Sequence, residues 1–238
     1  MWGRPPRIEV SHLNRSYRSP VETVWAARDI ALTVHSGEFV CIHGASGSGK
    51  TTLLHLLAGL EERDSGHIRI GQQDLDNLDD EGRARVRREV IGVVFQDHQL
   101  IEEFSAVENV ALPLELRGVP SREARGLADQ QLERVGLRGL GARFPSQLSG
   151  GQRQRVGIAR ALVGDRDILL ADEPTGSLDS AASLGIFELI QTLCDHGLAA
   201  IVCTHDPRCG KYASRVFQMI DGALNATKET ASVGDVHA

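Results

Sequence analysis

Gly44-Ala45-Ser46-Gly47-Ser48-Gly49-Lys50-Thr51 constrains this chain more than any other segment. It matches the spacing G-x-x-x-x-G-K-[ST]. The apolar run Phe39-Val40-Cys41-Ile42 precedes it, and a helix predicted from about Lys50 to Gly59 follows. Strand, glycine-rich turn and helix in that order make a phosphate cradle. Glycine lets the backbone wrap closely around an anion with its N–H groups turned inward. The helix N-terminus adds the positive end of its dipole. Lys50 is placed to bridge the β- and γ-phosphates of a nucleoside triphosphate, and the Thr51 hydroxyl to meet Mg2+, with Thr52 counted in the same cradle. Alone, the motif implies a nucleotide triphosphate but does not separate a GTPase, a kinase or a transport motor.

A second carboxylate-bearing run meets the needs of such a loop. Ile168-Leu169-Leu170-Ala171 reads as a buried strand and ends in Asp172-Glu173-Pro174. A strand ending in Asp at the sheet's ligand-binding edge suits magnesium holding. Glu173 is expected to point elsewhere because strand side chains alternate. That leaves Asp172 to orient the metal and Glu173 to polarise the attacking water.

Further apolar runs at 199–203 and 216–220, a short one at 93–95, and helical patterning at 180–196 alternate along the chain. The expected fold is α/β: a P-loop NTPase core whose parallel sheet is flanked by helices on both faces. Short β-like stretches over 7–40 suggest an N-terminal antiparallel β subdomain, and 66–75 a hairpin or edge strand. Residues 105–163 are mostly helical in pattern, so a helical subdomain is expected as an insertion over about 97–165. Pro113 should kink or interrupt it. One domain would then cover 1–222, with 223–238 a polar, frayed tail.

Composition excludes more than it selects. With 238 residues, the chain can bury a core without disulfides or metal. A net charge of −6 gives no support to nucleic-acid binding. The four cysteines show no C-x-x-C spacing and read as small buried hydrophobes. Met1–Ser11 lacks the apolar segment of a signal peptide, and no apolar run reaches the ~18 residues of a membrane span. A membrane process would need its membrane part on another chain. His196 and His98 lack partners at metal-ligand spacing. The charged runs Glu61–Asp64 and Asp76–Glu89 read as solvated faces.

Leu148-Ser149-Gly150-Gly151-Gln152 opens a helix running to about Val163. Ser149 and Gln152 form a capping box, S-x-x-Q. The double glycine weakens a helix start but suits backbone approach to an anion. The five residues are the signature of the ABC ATPases, and the resemblance extends over most of the chain. Tyr17 resembles that family's adenine-stacking aromatic, Gln96 its Q-loop glutamine, Ser177-Leu178-Asp179 its D-loop and His205 its switch histidine. All stand in the family's order. Phe104–Gly118, Ala171–Gly176 and Thr204–Pro207 resemble the branch of lipoprotein-releasing, macrolide-efflux and antimicrobial-peptide export ATPases, although Ser177 stands where many of that branch carry Asn.

The resemblance implies an ATP-hydrolysing motor with ATP and Mg2+. Lys50, Gln96, Glu173 and His205 would serve catalysis, and Thr51, Gln96 and Asp172 the metal. Two copies would meet head to tail, so that the Ser149 and Gly151 region of one faces the cradle of the other, and Gly150, Gln152 and Asp179 would also take part in nucleotide binding. ATP would close the pair and hydrolysis open it. The helical block would pass that motion to an integral-membrane permease, on the inner face of the cell membrane. The alternative class is a nucleic-acid- or ribosome-associated ABC ATPase. The stretch between Lys50 and Ser149 is too short for the insertions such relatives usually carry.

Overall fold

In a computed structural model, residues 5–96 and 99–229 are described. Positions 1–4, 97–98 and 230–238 lie outside them, and with them His98 and the last part of the stretch expected to fray. The long strands β1 (Pro6–Arg18) and β2 (Thr23–His35) form an antiparallel ribbon. Then follow β3 (Phe39–His43), α1 (Lys50–Leu57), β4 (Ser65–Ile70), β5 (Gln73–Asp74), α2 (Asp80–Glu89) and β6 (Ile91–Val94). The helices α3 (Ala106–Glu115), α4 (Ser121–Arg134) and α5 (Gly150–Leu162) come next, before β7 (Ile168–Asp172), α6 (Ser180–Asp195), β8 (Ala199–Thr204), β9 (Arg215–Ile220) and β10 (Ala223–Glu229).

The strands make two sheets, ordered β2-β1-β4-β5 and β10-β9-β3-β8-β7-β6. In the larger one, β9, β3, β8, β7 and β6 run parallel. β3, β7 and β8 are apolar up to their last residue because both faces are covered, whereas β9 alternates buried Val216, Phe217 and Met219 with exposed Gln218 and Ile220. On β3, Phe39 and Cys41 join the core shared with α3 to α6, while Val40 and Ile42 join the core shared with α1 and the smaller sheet. Leu169 and Ala171 on β7 divide from Ile168 and Leu170 in the same way. Two-residue periodicity thus sorts one unbroken hydrophobic run into two cores.

Two expectations are corrected. The larger sheet is mixed, because Ala223–Glu229, expected to fray, pairs antiparallel with β9 as β10. Asp221 and Gly222 both have positive φ, at 47° and 78°, the geometry of a tight two-residue hairpin. Polar residues suit an edge strand with one open face, so hydrophobicity does not reveal it. In addition, α3 runs through Pro113 to Glu115. The proline sits in the last turn, where it forfeits one N–H bond with little helix left to break. The helix then stops at Leu116, before Gly118 at φ 86°.

All four cysteines are buried and free. No helix among the described residues is long and apolar enough to cross a membrane.

Candidate functional site

Parallel register places the chemistry side by side. His43 pairs with Thr204, Asp172 with Cys203, and Val94 with Ala171. The segments that leave β3, β7, β8 and β6 therefore emerge at one edge of the sheet, where parallel α/β sheets bind ligands. A cleft of about 530 Å³ opens there. It gathers Tyr17, Ser46, Gly47, Gly49, Lys50, Thr51, Thr52, Gln96, Asp172, Glu173 and His205. It also takes in Val24 and Ala26 from β2, which carry no motif and were not foreseen. Gly44 and Ala45 contribute carbonyl oxygens to the cradle, while Ser48 is buried within it.

The loop has its shape because Gly49 has φ 108°, and a Cβ there would lie 2.0 Å from the carbonyl oxygen of Ala26. Only glycine fits that approach. Lys50 Nζ, nearly buried, donates to the carbonyls of Gly44 at 2.8 Å and Ala45 at 3.1 Å. It also stands 3.9 Å from Glu173 Oε1.

Thr51 Oγ1 donates to Asp172 Oδ2 at 2.6 Å. The other oxygen, Oδ1, is buried and without a partner. A hydroxyl and a carboxylate converging with an unsatisfied buried oxygen is a donor set suited to a hard divalent cation such as Mg2+. Gln96 lines the same cleft beside Gly176, where an added Cβ would meet its Nε2 at 3.0 Å.

Strand alternation does not direct Glu173, because β7 ends at Asp172. Glu173 turns with φ 47°, and its N–H donates to the carbonyl of Cys203 at 2.8 Å. Both carboxylates consequently face one cleft. Glu173 Oε2 accepts from Thr204 Oγ1 at 3.0 Å and from the His205 N–H at 3.3 Å, and His205 Nδ1 lies 3.0 Å away. A left-handed non-glycine residue costs roughly 1–3 kcal/mol and concentrates at functional sites. Beyond it, hydrogen bonds from Arg208 hold the Asp206 carboxyl below its ordinary value. Burial pushes the Cys203 thiol well up, keeping it neutral behind the cradle.

Ser149, Gly150, Gly151, Gln152 and Asp179 do not line this cleft. Ser149 Oγ accepts from the Gln152 N–H at 3.3 Å, and Gln152 Oε1 accepts from the Ser149 N–H at 2.9 Å, so the capping box is formed. Asp179 caps α6 through the Ala182 N–H. A Cβ on Gly150 would meet Leu178 at 3.1 Å, and one on Gly151 would meet Ala182 at 3.2 Å. The double glycine therefore brings the start of α5 against the segment that opens α6.

Residues 27–176 match the family model described as ABC transporter. The chain is 42% identical over 217 residues to the lipoprotein-releasing system ATP-binding protein LolD of Acinetobacter baylyi, covering 90% of this chain and 95% of that protein. It is also 42% identical to the macrolide export ATP-binding/permease protein MacB 1 of Yersinia pestis, but spans only 34% of that longer protein. Among solved structures, the dimeric ATP-binding cassette MJ0796 bound to ADP and Pi superposes with a TM-score of 0.83 at 35% identity, covering 94% of this chain and 99% of that one. The cassette cbiO1 of Clostridium perfringens gives 0.82 at 31% identity, covering 93% and 87%. The chain belongs to the ABC transporter family, as one of its ATP-binding, ATP-hydrolysing subunits.

Proposed function

We propose that this chain drives a membrane transporter by closing on a second copy of itself around ATP and Mg2+. The observation that supports this best is the division of its motifs. Cradle, carboxylates and histidine share one cleft, whereas Ser149–Gln152 presents a capped helix start outside it. A helix N-terminus is an anion site. Placed over a second copy's cradle, it would grip the γ-phosphate from the far side. Similarity to a dimeric cassette bound to ADP and Pi agrees with that arrangement.

Within the cleft, Lys50 exchanges the carbonyls of Gly44 and Ala45 for phosphate oxygens. Thr51 and Asp172 would hold Mg2+, with Gln96 beside them. The chemistry such an ion would supply there is charge neutralisation on the nucleotide's phosphates. Thr204 and His205 occupy Glu173 Oε2, which leaves Oε1 as the oxygen open to water. Water attacks the γ-phosphorus, the bond to the bridging oxygen breaks, ADP leaves, and the water proton passes to Glu173. Tyr17, exposed on β1 near Val24, offers its ring to the base. Loss of the γ-phosphate removes the charge that holds the pair closed.

Relatives that carry a permease in the same protein, and one named as an ATP-binding protein of a releasing system, support a membrane partner. In this reading a separate integral-membrane chain is that partner, and the subunit works peripherally on the cytoplasmic face. The acidic chain is not expected to bind nucleic acid.

Ser149→Arg tests the division. The isolated chain should bind ATP as before, because position 149 is outside its own cleft, while turnover falls about 100-fold through loss of the second copy's anion contact. Parental turnover would contradict the shared site.

A further inference from the structure

Glu61 carries no motif and belongs to a charged run that reads as a solvated face. The structure places it otherwise. Its carboxylate is mostly buried, at 19% exposed, and Oε1 accepts from both the Tyr17 hydroxyl and Arg15 Nε, the latter at 3.0 Å. Arg15 also lies against the Tyr17 ring, Cζ 4.9 Å from its centroid. Asp64 completes the arrangement. It accepts from Arg15 Nη1 at 3.1 Å and from both the N–H and the hydroxyl of Ser16 at 2.7 Å. These are charge-assisted bonds, about twice as strong as neutral ones.

The location matters because of what precedes Glu61. Helix α1 begins at Lys50 in the phosphate cradle, and its last turn runs into Gly59 and Leu60, whose N–H groups donate to Leu56 and His55. Glu61 follows directly. One short rigid element thus holds the phosphate end of the cleft at its start and the Tyr17 ring just past its end. A free tyrosine on an edge ribbon would have to be ordered whenever a base stacked on it, at a cost in side-chain entropy.

We propose that Glu61, with Arg15, is a positioning residue that fixes the Tyr17 ring as a preorganised platform for the nucleotide base. This rests on Tyr17 being the base-stacking residue. Arg15 lies against the ring face, and Glu61 anchors the hydroxyl against rotation out of the cleft. The base end is thereby set at a fixed distance from the phosphate end, and the pair acts on affinity for the nucleotide and not on bond cleavage.

The test compares ATP with inorganic tripolyphosphate, which has the phosphates but no base, on the full chain. Glu61→Ala should raise KM and Kd for ATP about tenfold, the scale of one charged hydrogen bond, with kcat unchanged and tripolyphosphate affinity unchanged. Tyr17→Phe, which keeps the ring and breaks only the contact to Glu61, should move ATP affinity the same way by a smaller factor. It carries the test if Glu61→Ala does not fold. Tyr17→Ala reports on the underlying reading. If Tyr17→Ala weakens ATP binding while Glu61→Ala and Tyr17→Phe do not, the positioning role is overturned and the platform stands. If Tyr17→Ala also leaves ATP affinity unchanged, the platform itself is overturned. Equal losses for ATP and tripolyphosphate in Glu61→Ala would overturn the proposal as well, since the phosphate cradle would then be what moved.

Discussion

Nδ1 of His205 lies 3.0 Å from Oε2 of Glu173, the carboxylate oxygen that also accepts from Thr204. The histidine itself is largely exposed, while the carboxylate is mostly buried. Thr204 at the end of β8 and His205 just past it therefore orient a residue just past the end of β7, and the parallel pairing of those strands sets the distance. The two Glu173 oxygens become inequivalent: one is held by β8, and the other faces Lys50 and the cleft.

Glu173→Gln should keep ATP affinity near parental and lower turnover by about 10²- to 10⁴-fold, the usual contribution of a positioned base. Phosphate release and equilibrium ATP binding, measured on the same preparation, check both halves. Parental turnover would remove Glu173 from the reaction.

Thr204→Val tests the orientation, removing the bond to Glu173 together with the one Thr204 Oγ1 accepts from the Asp206 N–H at 3.1 Å. Thr204 is fully buried and bonds Glu173 Oε2 at 3.0 Å. Valine fills similar space and deletes the donor. The expected loss in kcat is about 3- to 10-fold, matching one hydrogen bond of roughly 1 kcal/mol, with little change in KM. Steady-state kinetics decide it.

Gly49→Ala should abolish ATP binding. The new methyl would sit 2.0 Å from the Ala26 carbonyl oxygen at a φ of 108°, and an alanine forced there costs roughly 1–3 kcal/mol before the clash is counted. Thermal melts with and without ATP should show a lower Tm and no shift on adding nucleotide. Gly47, also at positive φ but with open space around its missing Cβ, should suffer less from the same change.

Asp64 gives a pH dependence. The Ser16 hydroxyl and N–H, with Arg15, hold its carboxyl below the ordinary value. A carboxyl lowered in the folded chain contributes stability above its unfolded pKa of about 3.9 and loses it as pH falls through the folded value. Urea midpoints between pH 6 and pH 2.5 should fall less steeply in Asp64→Asn than in the parent at the acid end. Parallel curves would show that Asp64 gains nothing from these partners.

Much of the site was legible because its residues occur in contiguous runs: Gly44–Thr51, Asp172-Glu173 and Thr204-His205 each follow an apolar strand. Apolar runs marked the buried strands for the same reason. The rest was hidden by physics that acts across the chain. The edge strand β10 has one open face and so no hydrophobic signature; only Asp221-Gly222 hinted at its hairpin. Glu61 and Asp64 look solvated until the fold brings Arg15, Ser16 and Tyr17 to them. Alternation misdirects Glu173 because the strand stops one residue earlier. The proline in α3 is tolerated because the helix is already ending.

ATP-triggered pairing of the hydrolysis-deficient chain tests the central claim most directly. Light scattering of Glu173→Gln after size exclusion should give the mass of one chain without nucleotide and of two with ATP and Mg2+, and the added Ser149→Arg change should return it to one. A single-chain mass at saturating ATP, both alone and with its membrane partner present, would contradict the account.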